Sequence, residues 1–285
     1  MKHTIADWII SKFSKWLLKN EPPRRTYLSD FHRVCDEVRA GDVLLIEGRS
    51  RASRIIQYVT LSAWSHAILY IGYLHEIENP ETRDLILKHW HKDTPNAQLI
   101  IESEIGLGTV VRSLSKYQKD HIRILRPHGL SHADAHRLIN FAAKKLGRKY
   151  NIRHIFDLAR FLFPWTFLPR KWRSSLFQLN ALKPTEDICS SMLAEAFDSI
   201  SFPILPLVVE DDKNNIELIQ RNPGLFTPSD FDYSPYFDVI KYPIFKLGKH
   251  LSPKDLPWRY GVISDDTGGI RPLNENKASK DDSTK

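Results

Sequence analysis

Apolar residues along the chain follow two periods, and the change from one to the other divides it. Up to Pro127 the runs are short and bounded by turn residues: Val43 to Ile46, Ala67 to Ile71 closed by Gly72, Leu99 to Glu102, Thr109 to Val111 and Ile122 to Leu125. Runs of this length, rich in Val and Ile and separated by Gly106 and Gly108, predict strands. A helix is expected before them, Phe31 to Arg39, ending in the turn Ala40-Gly41-Asp42. The polar stretch His75 to Gln98, with Pro80 and Pro95, reads as an elaborated connection.

After Pro127 the spacing becomes helical. Ser131 is a capping residue for a helix to about Leu146, with Ala135, Leu138, Ile139, Ala142 and Ala143 as its buried stripe and Gly147 as its stop. Residues 153–180 read as an inserted helical segment broken by Pro164 and Pro169, and Asp187 to Ala196 as a further helix. Pro203, Pro206 and Pro223 predict a return to loops, and residues 264–285, polar and without an apolar period, a disordered tail. At the other end, Ile5, Trp8, Ile9, Phe13, Trp16 and Leu17 recur at helical spacing opposite Lys12, Lys15 and Lys19, and Pro22-Pro23 ends the pattern. The expected organisation is an amphipathic helix within residues 1–25, one main domain over 26–263 and the tail.

Charge and cysteine content narrow the class. The formal net charge is +7, with +8 concentrated in residues 144–173 and +4 in residues 1–25. Both segments are also rich in Trp, Phe and Leu, so an anionic membrane surface is the partner to weigh. Packing of helix 4–19 on its own domain, and of the basic insert as a lid or core extension, are the competing readings. Nucleic acid is disfavoured, because neither a glycine-rich phosphate loop nor zinc-finger spacing accompanies the basic stretch. With two cysteines, Cys35 and Cys189, and no signal peptide evident, a disulfide framework is not expected. The longest strongly apolar run, Phe161 to Pro169, is too short to cross a bilayer. The expected compartment is the cytoplasm, with peripheral attachment to the inner face of a membrane open.

Two positions carry candidate chemistry. His66, in "SAWSHAILYIG", stands at the start of an apolar strand, where a rigid scaffold can hold a general base. Cys189 follows the candidate cap Asp187, so it falls in the first turn of a helix. Unsatisfied amides and the positive end of the helix dipole there favour thiolate. Cys35, mid-helix, reads as packing. Glu102, at the end of the neighbouring strand "LIIES", is the candidate to orient the imidazole, with Glu104 as its rival. Tyr58, Trp64 and Tyr150 are the aromatic candidates for substrate contact. His75, His89 and His91 lack metal-ligand spacing, and neither a metal nor another cofactor is expected.

The segment "GDVLLIEGRSRASRIIQYVTLSAWSHAILYIG" resembles the opening of the YiiX-like family of permuted papain-like enzymes, a branch of the NlpC-like superfamily. "IIESEIGLGTVVRSL", "ILRP", "GRKYN", "DICSSMLAEAF" and "LFTPSDFDYSPYFDVI" resemble later family segments in the same order, over roughly residues 38–242. The resemblance implies an α+β fold of circularly permuted papain-like type, a central antiparallel sheet packed against helices, with histidine before cysteine. His66 and Cys189 align with the family's base and nucleophile, and Glu102 with its polar partner. The implied activity is a thiol hydrolase cutting a peptide or N-acyl amide through an acyl-enzyme. Lipid acyl hydrolysis or acyl transfer, as in the related lecithin:retinol acyltransferases, is the alternative, and a non-catalytic binding protein on the same fold is the second. Asn151 departs from the family's Asp after Tyr150, and the basic insert between Tyr150 and Cys189 lies outside the family pattern.

Overall fold

The structure, a computed structural model, describes residue 19 and residues 30–90, 96–104, 106–148, 189–210, 215–241, 252–255, 257–264 and 269–272; the side chains of Val59, Cys189 and Pro253 fall outside this description. Residues 4–18 of the expected N-terminal helix, the whole insert 153–180, Asp187 and the last thirteen residues therefore lie outside the described residues. Within them run α1 (Phe31–Glu37), β1 (Val43–Glu47), α2 (Arg51–Thr60), β2 (His66–Tyr73), α3 (Pro80–His89), β3 (Gln98–Glu104), β4 (Gly108–Ser113) and β5 (His121–Pro127). They are followed by α4 (His132–Lys144), α5 (Cys189–Asp198), β6 (Leu207–Glu210), β7 (Ile216–Ile219), α6 (Pro228–Tyr233), β8 (Phe237–Ile240), β9 (Val262–Ser264) and β10 (Ile270–Pro272).

Six strands form one antiparallel sheet in the order β4-β3-β2-β1-β5-β8. The central strands are covered on both faces, which is why β1 and β2 read as continuous apolar runs rather than alternating ones. Side-chain alternation sorts them into two rows. Val43, Leu45, Ala67, Leu69, Leu99 and Ile101 face one way, into a core shared with Ile86 of α3, Leu138 and Ile139 of α4, and Met192, Leu193 and Phe197 of α5. Leu44, Ile46, Ile68, Tyr70, Ile100 and Ile124 face the other way, toward Val34 of α1 and Leu114 and Tyr117 of a short 3-10 turn after β4. This is the mixed α and antiparallel β architecture expected for the permuted papain-like fold.

Local chemistry explains the boundaries. Ser131 caps α4 by accepting from the Asp134 amide at 3.1 Å, and the buried positions of α4 are the five of the expected stripe. Gly41 has φ +94°, and a Cβ there would meet Leu130 Cδ2 at 2.8 Å. Asp42, 2% exposed, accepts from Arg126 Nε at 3.1 Å and Nη2 at 2.9 Å and from the Arg39 amide at 2.8 Å. Arg126 Nη2 also donates to the Glu37 carbonyl at 2.6 Å, so one ion pair ties the end of α1 to β1 and β5.

Three expectations need correction. The stretch 75–98 is not wholly irregular: it holds α3, with Pro80 in its first turn and Asn79 accepting from the Thr82 amide. Proline in a first helical turn costs no hydrogen bond, so Pro80 starts an element rather than breaking one. The region after Pro203 is not only loop, because the β-branched runs of β6 and β7 pair as a hairpin across turn-forming residues. Nor is residue 264 the start of a structureless tail, since β10 pairs with β9 through Ile270 and Ser264. Among the described residues, no helix is long and apolar enough to cross a membrane.

Replacing Asp42 by Ala leaves the Arg126 guanidinium half-paired in a buried corner. The expected loss is about 3–5 kcal/mol, read as a lower urea midpoint with an unchanged slope.

Candidate active site

His66 is the first residue of β2 and pairs with Ile46 of β1, which puts it in the row of Ile68 and Tyr70. The chain before it is held on several sides. The Ser65 amide donates to the Ile46 carbonyl at 3.1 Å, and Gln57 Nε2 donates to the carbonyls of Ala63 at 2.9 Å and Gly48 at 3.2 Å. Trp64 Nε1 donates to Asp232 Oδ2 at 3.0 Å. Arg123 donates to both Asp232 oxygens, at 2.7 and 2.9 Å, with its guanidinium 4.7 Å from the Trp64 ring centre.

Glu102 comes from β3 on the same row. Its Oε2 lies 2.7 Å from His66 Nε2 and accepts from the Tyr117 hydroxyl at 2.5 Å, while its Oε1 accepts from Lys116 Nζ at 2.7 Å. The carboxyl is fully buried. Burial alone would raise its pKa. The hydrogen bond and charge of His66, with the Lys116 ammonium, outweigh that and hold it down at about 2. An ionised carboxylate only accepts, so Nε2 carries the proton of this bond, and in a neutral ring Nδ1 is the unprotonated nitrogen. Glu104 shares the Lys116 ammonium, its Oε1 3.1 Å from Nζ and 2.6 Å from Arg112 Nε. Lys116 and Tyr117 were not anticipated; they sit in a four-residue turn with no periodicity to mark them.

Cys189 is the first residue of α5, and its side chain lies outside the described residues. The direction of α5 is fixed by its neighbours. At its start, Ser190 Oγ donates to the Phe226 carbonyl at 2.5 Å, just before α6, whose Asp232 holds Trp64. At its far end, Phe197 packs on Phe237, which pairs with Pro127 at the opposite end of the sheet. Helix α5 thus begins at the His66 end of β2. It packs over the Ala67 and Leu69 row, whereas His66 belongs to the other row, so the approach from the helix start to the imidazole runs past the end of the strand.

The substrate-contact expectations divide. Trp64 is 3% exposed and belongs to the core, so it is a structural anchor rather than an open binding surface. Tyr58 stands in α2 with its side chain 71% exposed, and Tyr150 lies outside the described residues.

Residues 37–161 match the family described as permuted papain-like amidase enzyme, YaeF/YiiX, C92 family. The resemblance read in the sequence is borne out. The matched segment contains His66 and Glu102 and ends before Cys189. It supports a hydrolase of the cysteine kind. Among solved structures the chain is similar to that of the metalloprotein yiiX from Escherichia coli O157:H7, at 13% identity and a TM-score of 0.43, over 72% of this chain and 97% of that one. No curated protein matches the chain.

A buried carboxylate with pKa near 2 against an ordinary 4.5 binds fewer protons folded than unfolded in that interval. Its stabilisation, on the order of 3 kcal/mol, is therefore complete above about pH 4.5 and lost as the pH falls toward 2. Urea unfolding of the wild type and of Glu102→Gln should show a wild-type advantage near neutrality that shrinks steadily below pH 4.5.

Proposed function

We propose that the protein is a cysteine-dependent hydrolase of amide bonds, with Cys189 as nucleophile, His66 as general base and acid, and Glu102 as the group that orients the ring. The observation that carries this reading is the His66 Nε2 to Glu102 contact of 2.7 Å at the end of the strand where helix α5 begins. A carboxylate on Nε2 fixes the tautomer and turns Nδ1 toward the nucleophile. The family match to an amidase favours an amide substrate over an ester.

The steps follow from these roles. Cys189 thiolate, favoured by the helix terminus and by imidazolium His66, attacks the carbonyl carbon, and the C=O π electrons move to oxygen. The amide of Cys189, at the helix start, is oriented to stabilise that oxyanion. As the tetrahedral intermediate collapses, the C–N bond breaks and His66 gives its proton to the departing nitrogen. Water then attacks the thioester, His66 takes a proton from it, and the acid and free thiolate are released. The low Glu102 pKa keeps a negative charge beside the imidazolium throughout.

The deciding measurement compares alkylation of the two cysteines against pH. Cys35 is held up at about 11, by burial first and then by the charge of Asp36, and should label slowly at neutrality. Cys189 should label rapidly, with a midpoint well below the ordinary thiol value of about 8.5, and His66→Ala should raise that midpoint. Hydrolysis, screened on peptides, N-acyl amides and phospholipid vesicles, should vanish in Cys189→Ala and fall by roughly 10²–10⁴ in His66→Ala. A Cys189 that titrates like a free thiol, or activity that survives its replacement, defeats the proposal and favours a binding role for the fold.

A further inference from the structure

We propose that Glu78, His132 and His136 form a binding site for a divalent transition-metal cation, with zinc the best fit, at the end of the sheet opposite His66. The two histidines are one turn apart in "HADAH" at the start of α4, so both rings leave the helix on one side. Their Nε2 atoms are 3.1 Å apart. A carboxylate oxygen of Glu78 lies 3.9 Å from each of them. Two ligands at about 2.0–2.1 Å from a tetrahedral zinc ion are separated by about 3.3 Å. The histidine pair thus already spans one edge of such a tetrahedron, and Glu78 needs to move inward by only about 0.5 Å to complete a face.

Neighbouring contacts fix the third ligand. Ile77 is 2% exposed, and its carbonyl accepts from Arg83 Nε at 3.2 Å and Nη2 at 2.6 Å. Asn79, on the other side of Glu78, accepts from the Thr82 amide at 3.2 Å, and Thr82 Oγ1 donates to Asn140 Oδ1 of α4 at 3.0 Å. The segment carrying Glu78 is therefore tied to α3, and α3 is tied through Thr82 to the helix that carries the histidines. The donor set of two imidazoles and one carboxylate suits zinc, cobalt, nickel or copper rather than magnesium or calcium, which prefer oxygen alone. Water would supply the remaining position, since His132 is 75% and Glu78 69% exposed.

The site is separate from the candidate catalytic centre. Strand β2 leads from His66 to Tyr73, a run of roughly 20 Å at the usual rise, and Glu78 follows from the far end. A cation here would pin the loop before α3 to α4, which packs against the cysteine helix through the Lys145 to Glu195 ion pair. The metal inference does not depend on the cysteine chemistry.

The test is titration of the metal-stripped full-length protein with zinc against a chelating indicator, beside thermal unfolding with zinc or magnesium. One zinc per chain should bind, raising the unfolding temperature, with no comparable effect of magnesium. Loss of a group that merely supports a ligand lowers metal affinity about 10–100-fold, so His132→Ala and His136→Ala should weaken binding at least that much. Glu78→Gln should weaken it less than either. Cobalt in place of zinc should give visible d–d bands of tetrahedral intensity that disappear in His136→Ala. Absence of stoichiometric zinc binding overturns the proposal. So does binding that is unchanged in correctly folded His132→Ala and His136→Ala, which would put the ion on other residues.

Discussion

A carboxylate with no exposure to water cannot remain charged unless other groups replace the solvent, and Glu102 has three that do. Imidazole, ammonium and phenol donors each take part of the charge, the first from the start of β2 and the other two from neighbouring residues in the turn after β4. The arrangement is cooperative. Shift β3 against β2 by one residue and Glu102 moves to the other face of the sheet, leaving a buried charge without partners. Register, ring orientation and carboxylate ionisation are therefore one constraint.

That constraint fixes which nitrogen of His66 carries the proton, and the packing of α5 fixes where its helix start lies relative to the ring. The helix runs over the Ala67 and Leu69 row while the imidazole stands in the Ile68 and Tyr70 row. A sheet buried on both faces separates these rows everywhere except at strand ends. His66 is at such an end, and so is the start of α5. A histidine two residues further along β2 would sit beneath the apolar cover and be closed off from the helix terminus. The position of His66 at the strand mouth is thus a geometric requirement of any chemistry shared with Cys189.

Much of this was legible in the sequence because burial and periodicity are local signals. The strands about Val43, Ala67, Leu99 and Ile122 and the whole inner stripe of α4 follow from apolar spacing alone. The choice of Glu102 over Glu104 as neighbour to His66 did not follow from spacing. Both carboxylates lie on one face, and the pairing of Leu69 with Ile101 sets Glu102 level with Ile68, so its bond to His66 is a diagonal one set by side-chain direction rather than by register alone. Lys116 and Tyr117 gave no signal, since their role comes from a turn folding back under the sheet. Pro80 misled because proline has opposite meanings inside a helix and in its first turn. Trp64 misled for another reason: an aromatic beside a candidate catalytic histidine reads as a substrate contact, but its indole N–H has a half-buried acceptor in Asp232, more than 150 residues later.

That long-range contact explains why the strand mouth is rigid. Asp232 joins Trp64 to Arg123 of β5 and belongs to α6, which directly follows the loop that holds Ser190. On the other side, Gln57 of α2 ties Ala63 to Gly48 at the end of β1. At Gly48 a Cβ would crowd Ser53 Oγ and Ser65 Oγ, so a side chain there would force both hydroxyls to move. The turn before His66 is thereby clamped between α2 and α6, and α6 is coupled in turn to the start of the cysteine helix. A change in the seat of α6 would move the helix terminus and the histidine loop together, preserving their relation. Catalysis by a nucleophile and base drawn from distant parts of a chain needs that common support, because small errors in their relative position cost reactivity steeply.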